Sequence, residues 1–186
     1  MSLKSAAIAA VAALAFSTGL GACVTAPSAA SYRAPQPAKP VDAARLYSGR
    51  WLEIGRTPMR LTDDCVAGTT TYTLTAVDRL TLRDTCQART PTGKEKAIGA
   101  SATILDPGTN TKFRARYLGG LITWDFWILD HADDYSWFIS ADPTLDRLWI
   151  YTREIPSQAQ LTRLVERARN LGYDVSRLEF PAPLPH

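Results

Sequence analysis

Between Trp51 and Arg153 the chain alternates apolar and polar residues in short segments that turn residues separate. Alternation with a period of two is typical of β-strands that bury one face. Asp106-Pro107-Gly108 and Gly119-Gly120 are clear turn signals between such segments. The pattern predicts eight strands, at residues 50–57, 68–76, 79–87, 96–105, 111–118, 122–130, 135–141 and 147–153.

Eight consecutive strands with short connections predict an all-β fold, an eight-stranded antiparallel up-and-down β-barrel. Closure of the barrel removes the two unpaired edges that an open sheet would keep. Helices do not alternate with the strands, which argues against a parallel sheet. We expect the barrel domain to span residues 42–182.

After the last strand the spacing of apolar residues changes from two to that of a helix. Ser157 and Gln160 form a capping box, and Gly172 is placed to end the helix, so we predict one C-terminal helix at about residues 157–171. The residues that form its apolar stripe are Leu161, Leu164, Val165, Ala168 and Leu171.

This helix needs an apolar surface to cover. We expect it to pack on the outside of the barrel, against Leu148 and Ile150, which share one face of the last strand. Residues 175–180 then supply enough apolar sequence for a short final strand.

Hairpin register predicts which side chains point into the barrel. Turns centred near Ala132-Asp133 and Thr144-Leu145 place four aromatic residues on the face opposite to the helix, and alternation adds three more on other strands. The seven predicted interior aromatics are Tyr72, Phe113, Tyr117, Trp127, Phe138, Trp149 and Tyr151. An eight-stranded barrel is either filled by side chains or holds one small ligand, and both alternatives stay open here.

The N-terminus has the features of an export signal. Lys4 precedes an apolar stretch of small residues, and residues 1–22 are predicted to be a signal peptide. Leu20-Gly21-Ala22-Cys23 resembles the lipobox of bacterial lipoproteins, which implies acylation of Cys23. Val24 rather than Asp follows, which in enterobacteria goes with the outer membrane. The alternative is an ordinary signal peptide that happens to lie beside a cysteine.

Residues 23–41 are rich in Pro, Ala and Ser, and we expect them to be a tether that buries no core. With Cys23 acylated, Cys65 and Cys86 remain in an oxidising compartment, where a disulfide is the default. Pairing of the second and third strands about a turn at Ala76-Val77 places these two cysteines nearly opposite each other.

The composition of the chain mainly argues against certain classes of function. Lys and Arg number 21 against 18 Asp and Glu, a net charge of +3 without a basic run, so nucleic acid is not an expected partner. Two His and three Cys offer little for a metal centre, and we expect no metal and no cofactor. The chain also lacks an obvious catalytic set, so we expect no catalytic residue. His131 beside Asp130 and Asp133 leaves a lipid-modifying enzyme as a minor alternative.

Three stretches carry a resemblance to the lipocalin family. Gly49-Arg50-Trp51-Leu52-Glu53-Ile54 resembles the opening Gly-x-Trp motif in the form seen in bacterial lipocalins and apolipoprotein D. Asp133-Asp134-Tyr135 resembles the second motif, and Leu148-Trp149-Ile150-Tyr151-Thr152-Arg153 resembles the third. Leu52 stands where the family usually has Tyr.

The resemblance implies roles for individual residues. Arg153 is expected to cross the closed end of the barrel and lie over the Trp51 ring in a structural cation–π contact, and Gly49 of the opening motif is a further structural residue. Aromatic residues at the positions of Tyr72, Trp127 and Trp149 line a ligand cavity in relatives. Family ligands include fatty acids, lysophospholipids, sterol-like compounds and pigments.

The sequence therefore predicts a lipocalin of the cell envelope. It would be held on the periplasmic side of the outer membrane through Cys23 and bind a small hydrophobic molecule, of the fatty acid or lysophospholipid class, for storage or transport. The alternative from another class is a barrel with a filled interior that acts through its rim and loops as an interaction or inhibitor protein.

Overall fold

The computed structural model describes residues 32–182. The predicted signal peptide, Cys23 and the first part of the tether lie outside the described residues. Eight antiparallel strands close into a barrel in sequence order, with the last strand paired to the first. They are β1 (Ser48–Arg56), β2 (Cys65–Ala76), β3 (Arg79–Ala88), β4 (Glu95–Ile104), β5 (Lys112–Tyr117), β6 (Ile122–His131), β7 (Trp137–Ala141) and β8 (Leu148–Thr152).

Two helices accompany the barrel, and the larger one confirms the prediction. The short helix α1 (Ala43–Leu46) precedes β1, and α2 (Gln158–Asn170) follows the last strand. The Ser157 hydroxyl accepts a hydrogen bond from the Gln160 backbone N–H at 3.2 Å. Gly172 takes a φ of 91° just beyond the helix, a conformation that favours glycine. The expected barrel with one helix after it is therefore confirmed.

Strand alternation separates two apolar cores. The inner core fills the barrel around Trp51, Phe113 and Phe138. The outer core lies between the barrel wall and α2, where Leu164 and Ala168 pack with the outward side chains of β8. Leu148 and Ile150 belong to this outer core, as the sequence predicted. The predicted last strand is wrong except at one position: residues Val175–Arg177 form a 3-10 turn, and Glu179 makes a single bridge to Arg56.

One residue of the predicted interior set, Trp127, faces outward in the structure. It pairs with Ala141 rather than with Phe138 and belongs to the outer core. The connection between β6 and β7 is longer than the predicted turn, and the register shifts between Ile128 and Asp130. Such a bulge reverses which side chains face inward along the rest of the strand. Alternate residues Trp124 and Phe126 therefore face the interior.

Part of the predicted tether is bound to the barrel. Ala34 and Val41 are buried, and residues 33–41 form backbone hydrogen bonds along the outside of the barrel. The Ala38 N–H donates to the Leu129 carbonyl at 3.1 Å, and the Tyr32 ring packs edge-on against Trp127 at 5.3 Å between centroids. The prediction that this whole segment buries no core is wrong for residues 32–41. The outward Trp127 supplies the surface for Tyr32 and Ala34, and Val41 at the other end of the segment packs with the inner core.

The closed end of the barrel is capped by the predicted cation–π contact. The Arg153 guanidinium carbon lies 3.5 Å from the centroid of the Trp51 ring. The same guanidinium donates hydrogen bonds to the carbonyls of Arg45, Ser48 and Arg50. Gly49 takes a φ of 64°, and a Cβ there would lie 3.5 Å from Arg153 Nη1. Such a contact would be an ordinary one, so it is the left-handed backbone conformation at the start of β1 that favours glycine at this position.

The predicted disulfide is confirmed near the other end of the barrel. Cys65 lies opposite Ala88, and Cys86 lies opposite Gly68, with a register shift between them. The two cysteine Cα atoms are 5.4 Å apart, and the bond joins β2 to β3. It is at the end where β1 connects to β2 and β3 to β4.

Candidate functional site

A cavity of about 260 Å³ lies in the half of the barrel that contains the disulfide. We call this half open and the half beneath the Arg153–Trp51 contact closed. Its lining comes from all the strands except β7, together with Met59 and Thr62 of the β1–β2 connection. The aromatic core around Trp51, Phe113 and Phe138 lies towards the closed end. The barrel is thus packed solid at one end and hollow at the other.

The β5–β8 side of the cavity is aromatic. Phe126 and Trp149 have ring centroids 5.1 Å apart, and Tyr117 and Trp124 have theirs 5.7 Å apart. Ile122 adds aliphatic surface on this side, and Leu82 and Met59 add it elsewhere in the lining. The Tyr117 and Trp124 rings meet edge to face across neighbouring strands, and the Phe126 and Trp149 rings meet at a tilt across the barrel interior, so the rings form one continuous aromatic wall.

The predicted interior aromatics divide into three groups in the structure. Tyr72, Tyr117, Trp149 and Tyr151 line the cavity. Phe113 and Phe138 are fully buried beyond it, where Phe113 stacks on Phe126 at 5.1 Å and Phe138 stacks on Tyr151 at 4.6 Å. These two residues support the lining without forming it, whereas Trp127 lies outside the barrel. Trp124 and Phe126, which the sequence reasoning missed, take the place expected for Trp127.

The β1–β3 side of the cavity carries a carboxylate that the sequence reasoning did not identify. Asp84 on β3 points inward, and Thr70 Oγ1 donates to its Oδ1 at 2.7 Å. The Tyr117 hydroxyl donates to the other carboxylate oxygen, Oδ2, at 2.8 Å. Burial raises the pKa of Asp84, and the two hydrogen bonds offset part of that rise because they favour the charged form.

A second carboxylate, Glu53 on β1, is paired with a buried arginine. Arg56 Nη1 donates to Glu53 Oε1 at 2.7 Å, and the remaining Arg56 donors contact Glu179 and the Cys65 carbonyl. Burial raises the pKa of Glu53 and Arg56 lowers it, with a net rise to which Asp84 contributes. Burial acts to lower the pKa of Arg56, but Glu53 and Glu179 raise it, and the net direction is upward.

The shape of the sheet makes room for this pair. Gly68 lies directly opposite Glu53 in the β1–β2 register. A Cβ on Gly68 would lie 3.2 Å from Glu53 Oε1 and 3.6 Å from Arg56 Nη1. A larger residue at position 68 would therefore press against the carboxylate and displace it.

Strand parity was the signal that could have identified both acids. Glu53 is two residues from Trp51, and Asp84 is two residues from Leu82, so each shares a face with an obvious core residue. Acids on strands are usually solvated, and a single sequence offers little reason to place them inside. The two inward carboxylates are thus a departure from the apolar cavity that the sequence predicted.

His131 does not form a catalytic site with its neighbours in the described part of the chain. Its Nδ1 lies 2.8 Å from the Ala132 carbonyl and its Nε2 lies 3.1 Å from the Pro40 carbonyl, while the ring stacks on Tyr135. Both ring nitrogens thus face backbone oxygens at the closed end, away from the cavity. This arrangement fixes the segment before α1 to the end of β6.

The nearby aspartates are also engaged in structural contacts. Asp130 accepts from Arg167 of α2 at 2.6 Å, Asp133 contacts Lys39, and Asp134 accepts from the Ser136 N–H at 2.9 Å. Within residues 32–182 no group of three metal-ligating side chains converges. Among the helices of this same region, none has the length and apolarity needed to cross a bilayer.

The sequence of the barrel domain matches a known family over most of its length. The profile of the lipocalin-like domain matches residues 41–183. The chain belongs to the lipocalin family. Temperature-induced lipocalin-1 of Arabidopsis thaliana is a relative of this lipocalin, 30% identical over 141 residues, which is 71% of this chain and 74% of that protein.

Solved structures share the fold at much lower identity. Insecticyanin from the tobacco hornworm Manduca sexta is 14% identical, with a TM-score of 0.59 over 80% of this chain and 85% of that chain. The allergen Per a 4 from cockroaches is 17% identical, with a TM-score of 0.57 over 80% of this lipocalin and 92% of its own chain. At these identities the likeness concerns the fold alone.

Proposed function

We propose that this lipocalin carries a small hydrophobic molecule, of the fatty acid or lysophospholipid class, for storage or transport in the cell envelope. The observation that supports the proposal is the aromatic cavity of about 260 Å³ inside a closed barrel. Apolar surface removed from water contributes about 25 cal/mol per Å², before the costs of association are subtracted. Binding rather than turnover is the proposed role, since His131 faces away from the cavity and is held by backbone carbonyls.

Mass spectrometry of lipids extracted with the protein from its native membrane tests the class of ligand. Titration with an apolar fluorescent probe tests the cavity itself, and we expect saturable uptake at one site. Trp149→Ala is expected to weaken uptake about tenfold or more, because it removes a large ring from the lining. Trp127→Ala is the matched control, since Trp127 is equally buried, at 5% exposure against 4%, but lies outside the barrel. Failure of every apolar probe to bind would contradict the carrier function and favour a role of the rim and loops.

We also propose that the protein belongs to the bacterial branch of the family and is anchored by acylated Cys23 on the periplasmic side of the outer membrane. The path of residues 32–41 supports an orientation for that anchor. Arg33 donates to the carbonyls of Pro143 and Thr144 in the β7–β8 connection, which is at the open end, and Pro40 lies by His131 at the closed end. The N-terminal segment therefore reaches the barrel at the mouth of the cavity.

The number of residues between Cys23 and the barrel limits how far the mouth of the cavity can lie from the proposed anchor. Cys23 and Tyr32 are nine residues apart in the sequence, a span of at most about 30 Å. The β5–β6 connection at the same end exposes two apolar side chains, Leu118 at 58% and Leu121 at 87%. In the proposed orientation the cavity opens towards the lipid surface, where a hydrophobic ligand would be loaded.

Site-specific fluorescence tests this orientation. Leu121 and Val77 are both 87% exposed, but Val77 is in the β2–β3 turn at the closed end. In the intact acylated chain on phospholipid vesicles, we expect a dye attached through Leu121→Cys to be quenched by lipid-bound quenchers. A dye attached through Val77→Cys should not be quenched. Equal quenching at the two ends would contradict the orientation, and absence of acyl groups on Cys23 by mass spectrometry would contradict the anchor.

A further inference from the structure

We propose that the polar end of the ligand is a cationic hydrogen-bond donor, an ammonium group, which binds at Asp84 while the apolar part lies against the aromatic wall. The inference rests on the proposed carrier function and specifies the chemistry of its ligand. It distinguishes between amphiphiles that are equally hydrophobic, and of the two ligand classes proposed above it favours a lysophospholipid with an ammonium headgroup over a free fatty acid.

Both basic side chains that line the cavity are already occupied by protein carboxylates. Arg56 contacts Glu53 and Glu179 and also donates to the Cys65 carbonyl, so all three of its nitrogens are engaged. Lys96 Nζ donates to both carboxylate oxygens of Asp64, at 2.7 and 2.6 Å. A carboxylate ligand would therefore meet cations whose charge is already neutralised by protein carboxylates, and only the third N–H of the half-exposed Lys96 ammonium is left to donate to it.

Asp84 has acceptor capacity left and no cationic partner within residues 32–182. Each of its oxygens accepts one hydrogen bond, from Thr70 or from Tyr117, whereas a carboxylate offers about four acceptor positions. Neither neighbour carries a positive charge, and no salt bridge to Asp84 occurs in this part of the chain. A buried carboxylate without a counter-ion is costly, and a ligand cation would supply that counter-ion.

The charges around the cavity point in the same direction. Glu53 and Asp84 are two inward carboxylates with one buried guanidinium, Arg56, which is shared with a third acid, Glu179. A negatively charged ligand adds to this excess, whereas an ammonium reduces it. The attraction is stronger in a cavity walled by aromatic rings than in water, because the effective dielectric constant is lower.

The Asp84 carboxylate and the aromatic wall lie on opposite sides of the barrel. Asp84 is on β3, and the rings of Trp124 and Phe126 are on β6, three strands away in a barrel of eight. A ligand with a polar end and an apolar body can thus contact both sides at once. Tyr117 joins them, because its hydroxyl donates to Asp84 while its ring packs on Trp124.

The decisive experiment compares three probes of equal chain length with the purified chain: decylamine, decanol and decanoate, titrated by calorimetry at pH 7. The amine is cationic and the acid anionic at this pH, judged by the pKa values of about 10.4 for Lys and 4.3 for Glu. We expect the amine to bind about 10- to 100-fold more tightly than the alcohol, which is the range of one hydrogen bond between charged groups. We expect the acid to bind most weakly.

Asp84→Asn isolates the carboxylate with little change of shape. It should remove the preference for decylamine over decanol and leave decanol binding within about threefold. Asp125→Asn is the matched control, since Asp125 pairs with Arg114 on the outer face of the barrel. This control should keep the preference. Circular dichroism and thermal unfolding establish that both variants are folded, and the comparison of probes on the unmodified chain does not depend on either variant.

The outcomes separate the inference from the function on which it rests. Equal binding of the three probes, or tightest binding of decanoate, overturns the ammonium proposal while the carrier function stands. A preference for decylamine that survives Asp84→Asn also overturns it, because the charge would then act from elsewhere. Failure of all three probes to bind overturns the carrier function itself.

Discussion

The two halves of this barrel are made from the same strands but differ in what their inward side chains do. At the closed end Trp51, Phe113 and Phe138 are fully buried and meet across the barrel, with Trp51 and Phe138 edge to face at 4.6 Å. At the open end Gly68 and Thr70 face a wall of rings, and space remains between them. Side-chain volume at each level of the barrel, rather than strand number, thus decides whether the interior is solid or hollow.

The comparison also concerns polarity. At the closed end, the Arg153 guanidinium is satisfied by backbone carbonyls and by the face of Trp51. The open end contains Glu53 and Asp84, and its buried cation, Arg56, pairs with Glu53 and not with Asp84. The contribution of core packing to stability is therefore expected to come mainly from the closed half, and ligand selection from the open half.

The largest expected effect comes from emptying the closed half. Phe138→Ala should lower the free energy of unfolding by about 3–5 kcal/mol, since it leaves a void in a fully packed region. Phe126→Ala should cost less, because Phe126 already borders a cavity. Urea denaturation of both variants measures the difference. Equal losses would contradict the distinction between a solid and a hollow half.

Loss of the disulfide is the next largest effect. Replacing both Cys65 and Cys86 by Ala should lower the free energy of unfolding by about 3 kcal/mol, the value for a loop of this length. Thermal unfolding of the unmodified chain with and without reductant provides an independent measurement. A variant as stable as the oxidised chain would show that the open end does not depend on this bond.

The cap at the closed end is expected to contribute less. Arg153→Met should cost about 1–2 kcal/mol, through loss of the cation–π contact and of hydrogen bonds to three carbonyls. Arg153→Lys should recover only part of this, because an ammonium cannot match the planar fork of donors. Denaturation measures the stability, and an apolar probe should bind both variants as it binds the unmodified chain. Weakened binding would contradict the separation of the two halves.

The smallest expected effect is on the pH dependence of stability. Burial raises the pKa of Asp84, so the folded state keeps a proton that the unfolded state has already released. The contribution of Asp84 to the free energy of unfolding therefore falls as pH rises above the unfolded pKa of about 3.9, until the folded pKa is passed. Asp84→Asn should lack this contribution, whereas Glu53, whose pKa burial also raises, keeps its own in both chains. Unfolding of both chains from pH 3.5 to pH 7 measures it, and parallel profiles would contradict the raised pKa.

Patterns that are local in the chain were sufficient for much of the fold. Period-two alternation predicted all eight strands, and the capping box at Ser157 with Gly172 predicted the helix. The Trp51–Arg153 contact followed from the family resemblance and is confirmed by the structure. The disulfide followed from the predicted compartment and from the register of one hairpin.

Features that depend on register shifts or on distant surfaces were not accessible in this way. A single bulge in β6 turned Trp127 outward and Trp124 inward, and no local pattern marks its position. Residues 32–41 have the composition of a linker, yet they bind the barrel because Trp127 and neighbouring groups offer them a surface.

By itself, the sequence determined the strands, the helix and the pairing of the cysteines, since each depends on neighbours in the chain or on one turn. Only the tertiary structure decided where the barrel is hollow and placed Asp84 across it from the aromatic wall. Those properties depend on the volumes and charges that all the strands bring to one level of the barrel. A one-residue shift in any strand changes which side chains that strand directs into the barrel at a given level.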